Sequence, residues 1–373
     1  MGKNKKMNAF KLITLSGLIV LICGFGCVKD EELKTEFNIE ALNIGDGWQV
    51  SSLASEGFNE ATFRAAVMPL FDENNYITVT SMVVVRNGKL VAEAYMRDFQ
   101  GRLQKRQIQS TTKCITSLVF GIALEKNYFT GLDQKLYSII PEAFDEDLRK
   151  REITLRHLLT MNTGLKFNNE EIAEELFMKR PKNVIKYILA KPLFASPGSG
   201  FNYRDCDPQL LSGAIHRQTG LPLDSVADIY LFKPLGITDY YWERNVDGDS
   251  WASEALFMRP RDMAKIGQLV LNKGRWNGEQ LISEEWIIQS TTTQSDPNAG
   301  QPLDKKVTFG YYWRIQPNGV AFEANGAGGQ QILIIPEKNL VIVYTCEPYV
   351  QGQYSLATAM YTITNAIINS IIN

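Results

Sequence analysis

Gln109-Ser110-Thr111-Thr112-Lys113 runs straight into Cys114-Ile-Thr-Ser-Leu-Val-Phe-Gly-Ile-Ala-Leu124, a polar start on a long apolar run. Apolar residues fall on nearly every side of that run, so it predicts a helix buried all round, not one half-exposed. Ser110 and Lys113 stand three apart at its start, which puts both on one helical face with Cβ atoms roughly 5–6 Å apart. A hydroxyl is a poor nucleophile at its own pKa and needs an adjacent base. A lysine amine can serve if burial or a cationic neighbour draws its pKa toward neutrality. The helix N-terminus should also aim free N–H groups and partial positive charge at Ser110. No other serine in the chain has a lysine three residues on, and a lysine opening so apolar a helix needs a reason. The pair reads as nucleophile and base; two solvated residues on a helix surface are the alternative.

The other residues that could do such chemistry are few. No serine has glycines two residues before and two after it, and neither a His-Glu-x-x-His nor a Walker loop occurs. The two histidines, His157 and His216, fall inside amphipathic helices and read as structural. A lysine base usually needs a second proton carrier. Pro197-Gly-Ser-Gly-Phe-Asn-Tyr203-Arg-Asp205 is a loop by its proline and glycine content, and Tyr203 on it is a candidate. A phenol beside a protonated Lys113 would ionise more readily and relay a proton to the leaving group. The alternative is a tyrosine that packs the loop. Asp205 and Asp207 could equally be helix caps, Asp207 with Pro208 at the first helical position. Asn325-Gly-Ala-Gly-Gly-Gln330 leads into an apolar strand, and its glycines would let another backbone come close. The N–H groups of Gln330 and Ser110 are then candidates for an oxyanion hole.

Around these stretches the chain has strands at both ends and helices between. Asn59 to Leu70 has helical spacing, with Phe63, Val67 and Leu70 on one face. Two apolar runs within Thr78 to Tyr95 flank Asn87-Gly88, a hairpin signal. Helices over Ile153–Thr160, Pro208–Thr219 and Arg261–Asn272 end toward Gly164, Gly220 and Gly274. Val307 to Ile315 reads as one strand, Gln331–Ile335 and Leu340–Thr345 as a hairpin, and Ala357 to Ile372 as a final helix. The expected class is α+β: an antiparallel sheet from N- and C-terminal parts, flanked by helices, with a mainly helical subdomain inserted over about 125–300.

The first residues have another purpose. Lys3, Lys5, Lys6 and Lys11 precede the apolar run Leu12 to Phe25, which ends in Gly26-Cys27. This layout is that of an export signal, short for a membrane span. Ending on Gly-Cys, it resembles a bacterial lipoprotein signal over 1–27, with Cys27 lipidated and holding the exported protein on a membrane, the outer one included. An ordinary cleaved signal or an uncleaved anchor is the alternative. Residues 28–54 read as an acidic linker ahead of a hydrolase domain over 55–373. Its opening Val28-Lys-Asp-Glu-Glu32 is either a surface-export signal or a solvated tether. Without the leader, 35 basic residues face 41 acidic ones, with no basic run, so nucleic acid is not an expected partner. Cys114, Cys206 and Cys346 have no metal-ligand spacing and suit no disulfide framework; Cys114 and Cys346 read as small core residues. No metal or organic cofactor is called for.

Ser110-Thr-Thr-Lys113, Tyr203-Arg-Asp205 and Ala327-Gly328-Gly329 together resemble the marks of the serine β-lactamase and penicillin-recognising family, in its class C and esterase-like branch. Ile153-Thr-Leu-Arg-His-Leu-Leu-Thr-Met-Asn-Thr-Gly-Leu165, Met258-Arg-Pro-Arg-Asp-Met-Ala-Lys-Ile-Gly267 and Gly274-Arg-Trp-Asn-Gly-Glu-Gln-Leu-Ile-Ser283 are similar to it too. The resemblance covers roughly residues 55 to 372 and implies a β-lactamase/transpeptidase-like fold, with Asp205, Ala327, Gly328 and Gly329 at the substrate. Asp205 stands where the family usually has Asn, an acceptor-only carboxylate that would favour a charged Lys113 and could attract a substrate amine. Ala327 stands where penicillin-binding members carry a cation, so a charge-assisted hydrogen bond of about 1.5–3 kcal/mol to a substrate carboxylate is missing there. What the resemblance then implies is a serine hydrolase of a small ester, amide or peptide-like substrate, similar to carboxylesterases and 6-aminohexanoate-oligomer hydrolases. A β-lactamase or D-alanyl-D-alanine carboxypeptidase, and a sensor that acylates without turning over, are the alternatives.

Overall fold

The computed structural model describes residues 37–372, apart from 72–75, 77, 97–100, 168–180, 298–299, 301, 303–305 and 348–353. The leader and Cys27 lie outside the described residues. The chain opens with α1 (Glu60–Val67), β1 (Val79–Arg86), β2 (Lys89–Tyr95), β3 (Arg106–Gln107) and α2 (Thr111–Glu125). Its middle carries α3 (Leu155–Leu159), α4 (Val184–Leu189), α5 (Cys206–Thr219), α6 (Leu223–Ala227), β4 (Tyr241–Trp242), β5 (Leu256–Met258) and α7 (Pro260–Leu271). Then come β6 (Arg275–Trp276), β7 (Glu279–Gln280), α8 (Glu284–Ser290), β8 (Thr308–Phe309), β9 (Arg314–Ile315) and β10 (Phe322–Gly326). The chain closes with β11 (Gln330–Ile335), β12 (Leu340–Cys346) and α9 (Tyr354–Asn369).

Seven strands make one antiparallel sheet in the order β2-β1-β12-β11-β10-β9-β8, so both ends of the chain build it. Its seam is β1 against β12, where Val83 faces Val343 and Val85 faces Val341. Asn87 and Gly88 both adopt positive φ, +52° and +77°, as a tight hairpin turn requires. Because side chains alternate along a strand, neighbouring residues enter different cores. Met82, Val84, Ile342 and Tyr344 pack with Phe63 and Val67 of α1 and Ile363 and Ile367 of α9. Val83, Val85, Val341 and Val343 pack with α2, α7 and the helices of the middle segment. Gly267 lets α7 lie on the sheet, since a Cβ there would stand 2.5 Å from Val341 Cγ1. Helix α2 is buried from Thr111 through Ala123, as its all-round apolar pattern predicts.

Three expectations change. Residues 37–54 are not a free linker: Ile39, Trp48 and Leu53 are buried, and Trp48 Nε1 donates to the Arg261 carbonyl at 3.2 Å. Arg261, buried at the start of α7, grips this segment through Asp46 at 2.6 Å and ties it to Glu93 of β2 at 2.9 Å. The Val307–Ile315 run is two short paired strands, because Gly310 turns against α8 so closely that a Cβ would lie 2.0 Å from the Ser290 carbonyl. Helix α5 begins at Cys206, not Pro208, so Asp207 is no cap; it is buried, and Thr163 Oγ1 donates to it at 2.8 Å. Gly220 ends that helix at φ +71°, as expected.

Candidate active site

Ser110 stands at the N-cap position of α2, without a side-chain capping bond, and lines a cleft of about 590 Å³. Gln109 before it holds a left-handed backbone, φ +51°, which costs a non-glycine residue roughly 1–3 kcal/mol and is found where neighbours over-determine a geometry. The N–H groups of Thr111, Thr112 and Lys113 are not free, contrary to the sequence expectation; they donate to the carbonyls of Ile108, Gln109 and Ser110. The Ser110 N–H donates to no other group among the described residues.

Lys113 is 1% exposed, and its amine reaches three acceptors: Ser110 Oγ at 2.8 Å, the Ser253 carbonyl at 3.2 Å and Asp205 Oδ1 at 2.5 Å. Three acceptors match the three hydrogens of an ammonium, whereas a neutral amine has only two to give. Burial pulls this pKa down, but the Asp205 carboxylate and the Tyr203 phenol outweigh it and hold it above the ordinary lysine range. The condition set by the sequence argument, an amine drawn toward neutrality, is therefore not met in the free site.

Asp205 is the N-cap residue of α5, yet its side chain caps nothing; it turns to Lys113 instead. The loop carrying Tyr203 and Asp205 is pinned on the Ile153–Leu165 stretch. Buried Arg204 donates to the carbonyls of Leu165 at 2.5 Å and Asn202 at 2.9 Å. The Asn202 N–H reaches the Met161 carbonyl at 3.0 Å, and the Gly200 N–H reaches Asn162 Oδ1 at 2.7 Å. Tyr203 presents its ring to the amine, centroid 5.0 Å from Lys113 Nζ, and its hydroxyl has no hydrogen-bond partner among the described residues. Phe309, 6.0 Å from Tyr203 by ring centroids, continues an aromatic wall.

The third stretch meets the cleft at the expected Ala327 and at the two residues before it. Asn325, Gly326 and Ala327 line the cleft; Gly328, Gly329 and Gln330 are not among its lining residues. The Gln330 side chain is turned to β12, its Nε2 donating to the Cys346 carbonyl at 2.6 Å. Gly326 is where strand β10 touches the segment before Ser110, and a Cβ there would stand 2.5 Å from the Ile108 carbonyl.

Glu254 and Arg314 also line the cleft, and no sequence signal marked either. Burial first, then the charges of Asp205 and Glu243, push the Glu254 carboxyl up to about 7, against the pull of Lys113. The histidines lie elsewhere. His157 closes a capping box with Thr154, and His216 pairs with Asp249 at 2.6 Å. Among the described residues no group of acids, histidines or cysteines could hold a metal ion, and no helix is long and apolar enough to cross a membrane.

Known proteins share this fold. The profile of the family described as Beta-lactamase matches residues 68–359. An uncharacterised protein of Alkalihalophilus pseudofirmus is 24% identical over 313 residues, 70% of this chain and 82% of its own. The solved structure named "Putative 6-aminohexanoate-dimer hydrolase from Bacillus anthracis" superposes with a TM-score of 0.72 at 22% identity, covering 91% of this chain and 93% of that one. A class C β-lactamase superposes at 0.61 with 15% identity, covering 82% of this chain and 95% of its own. At these identities the likeness establishes the fold.

Proposed function

Because this chain belongs to the Beta-lactamase family of serine hydrolases, we propose that it hydrolyses a small ester or amide through an acyl-enzyme on Ser110. The observation that carries the reading is the 2.8 Å contact between Lys113 Nζ and Ser110 Oγ at the floor of a cleft. Ser110 Oγ attacks the substrate carbonyl and gives its proton to Lys113. Since that amine starts charged, it hands its own proton to Asp205, 2.5 Å away, as it takes the new one. Tyr203, on the cleft wall, delivers a proton to the leaving group and is reprotonated from Asp205 through Lys113, so that Asp205, Lys113 and Tyr203 all regain their starting protonation. The N–H groups of Ser110 and Ala327 hold the oxyanion, each such donor being worth about 10²–10³ in rate.

A volume of about 590 Å³ suits a small molecule, and the aromatic wall favours an apolar acyl or leaving group. The acids Asp205 and Glu254 line the cleft beside Arg314, its one cation among the described lining residues. With Ala327 where penicillin-binding members carry a cation, neutral esters and amides are favoured over the anionic β-lactams. A fluorophosphonate probe tests the nucleophile: wild type is labelled and Ser110→Ala is not. Labelling that survives the substitution removes Ser110 from the mechanism. Short p-nitrophenyl esters should turn over faster than nitrocefin; the reverse order moves the assignment to a β-lactamase.

Cys27 is proposed as a lipid attachment point in an exported chain, on the strength of the leader sequence. Radiolabelled palmitate incorporation that is unchanged by Cys27→Ser excludes it.

A further inference from the structure

We propose that Glu254 is the base that activates the water releasing the acyl group from Ser110, a role that rests on Ser110 being the nucleophile. Glu254 lines the same cleft as Ser110, Tyr203 and Asp205. Unlike Asp205, which Lys113 occupies, its carboxylate has no hydrogen bond or ion pair among the described residues. A half-buried carboxylate without a partner is costly unless something else fills its lone pairs.

The backbone holds it in place from both sides. Ser253, fully enclosed, gives its carbonyl to Lys113 Nζ at 3.2 Å. Ala255, also fully enclosed, sits at φ +62°, a left-handed conformation that a non-glycine residue rarely adopts. Glu254 is the residue between these two that reaches the cleft wall.

The groups that face it set its charge. Lys113 of α2 favours the carboxylate; Asp205 at the start of α5 and Glu243 just after β4 oppose it. Tyr203 and Arg314 complete the titratable and charged groups of the cleft lining. Burial dominates, and the carboxyl titrates at about 7, where a general base works best near neutral pH. Lys113 is the proton donor to Ser110 Oγ in this step, 2.8 Å away, so the base that takes the water proton is a different group.

In the step, a water oxygen bonds to the acyl carbon while one of its protons passes to the Glu254 carboxylate. The tetrahedral intermediate collapses, and its bond to Ser110 Oγ breaks. Lys113 returns a proton to that oxygen and is recharged from Glu254, which leaves the free acid and the starting enzyme.

The test follows p-nitrophenyl acetate turnover by the full chain and its Glu254→Gln variant. The variant should keep wild-type fluorophosphonate labelling and a burst of p-nitrophenol, one per Ser110. Its steady-state rate should fall about 10²-fold, and the decline of the wild-type rate as pH drops through about 7 should vanish. Formate should restore part of the rate to Glu254→Ala, which also shows that the site still folds. A Glu254→Gln enzyme with unchanged steady state and pH profile overturns the proposal. So does loss of burst and steady state together, or a change in KM alone. A wild-type enzyme that the probe does not label at Ser110 fails at the earlier step, so the two failures are distinguishable.

Discussion

Lys113 Nζ stands 2.5 Å from Asp205 Oδ1, and this carboxylate favours the charged form of the amine. An aspartate at this place turns the lysine from a free base into a link between Ser110 and a carboxylate. The proposed reaction then depends on passing a proton along, not on a rare neutral amine.

Asp205→Asn should separate these two modes. Without the carboxylate the lysine pKa comes down, because its main stabilising charge is gone. The proton acceptor goes with it. Fluorophosphonate labelling at pH 7 should slow by about 10²-fold, then climb with pH as the amine deprotonates, while wild type stays flat across that range. A variant as fast as wild type at pH 7 rules out the relay.

Tyr203→Phe keeps the ring that faces Lys113 at 5.0 Å and removes only the hydroxyl. The fold should survive with an unchanged melting temperature. The kcat for a poor leaving group should drop about 10²–10⁴-fold, and less for p-nitrophenol, which leaves without a proton. Equal losses for both leaving groups would count against a proton delivered by this phenol.

Gly326→Ala places a methyl 2.5 Å from the Ile108 carbonyl, between β10 and the nucleophile segment. Overpacking of this kind costs about 1–3 kcal/mol. The melting temperature should fall, and Ser110 labelling should fall further than in any equally destabilised variant distant from the cleft. Calorimetry with labelling rates on one set of samples checks both.

Glu56 ties the N-terminal segment to the β1–β2 hairpin. It accepts from Lys89 Nζ at 2.7 Å, Asn87 Nδ2 at 3.0 Å and Ser51 Oγ at 2.8 Å, and the Lys89 contact leads in holding its pKa down to about 2. A lowered carboxyl stabilises the fold above its ordinary pKa of 4.5 and loses that contribution as pH falls toward 2. Wild type should therefore melt higher than Glu56→Gln at pH 6, with the gap closing by pH 2.5. A gap independent of pH would assign the effect to packing.

Much of the architecture was legible because its signals are local. Asn87-Gly88 can make a tight turn whatever surrounds it, Gly220 can end a helix at positive φ, and the apolar residues around α2 leave it nowhere to go but inside. The Ser110–Lys113 contact follows from helical spacing alone. Other features depend on partners far along the chain. Which residues of Asn325–Gln330 face the cleft is set by where β10 ends, and that is decided by its pairing with β11, not by the glycines. Glu254 looks like any surface acid until the burial of Ser253 and Ala255 on either side is known. Ile39, Trp48 and Leu53 follow no helical or strand period, because Trp48 joins the core on one side of the sheet while Ile39 and Leu53 join the other.

The seam between β1 and β12 joins residues some 260 positions apart, Val83 to Val343 among them. Long-range pairing of this kind makes folding slow, since the intervening loop must close before the pairing brings any gain. The cleft shares that dependence: Ser110 comes from the early part of the chain and Ala327 from the late part. During synthesis the proposed nucleophile thus waits for its proposed oxyanion donor until the roughly two hundred residues between Ser110 and Ala327 have been made.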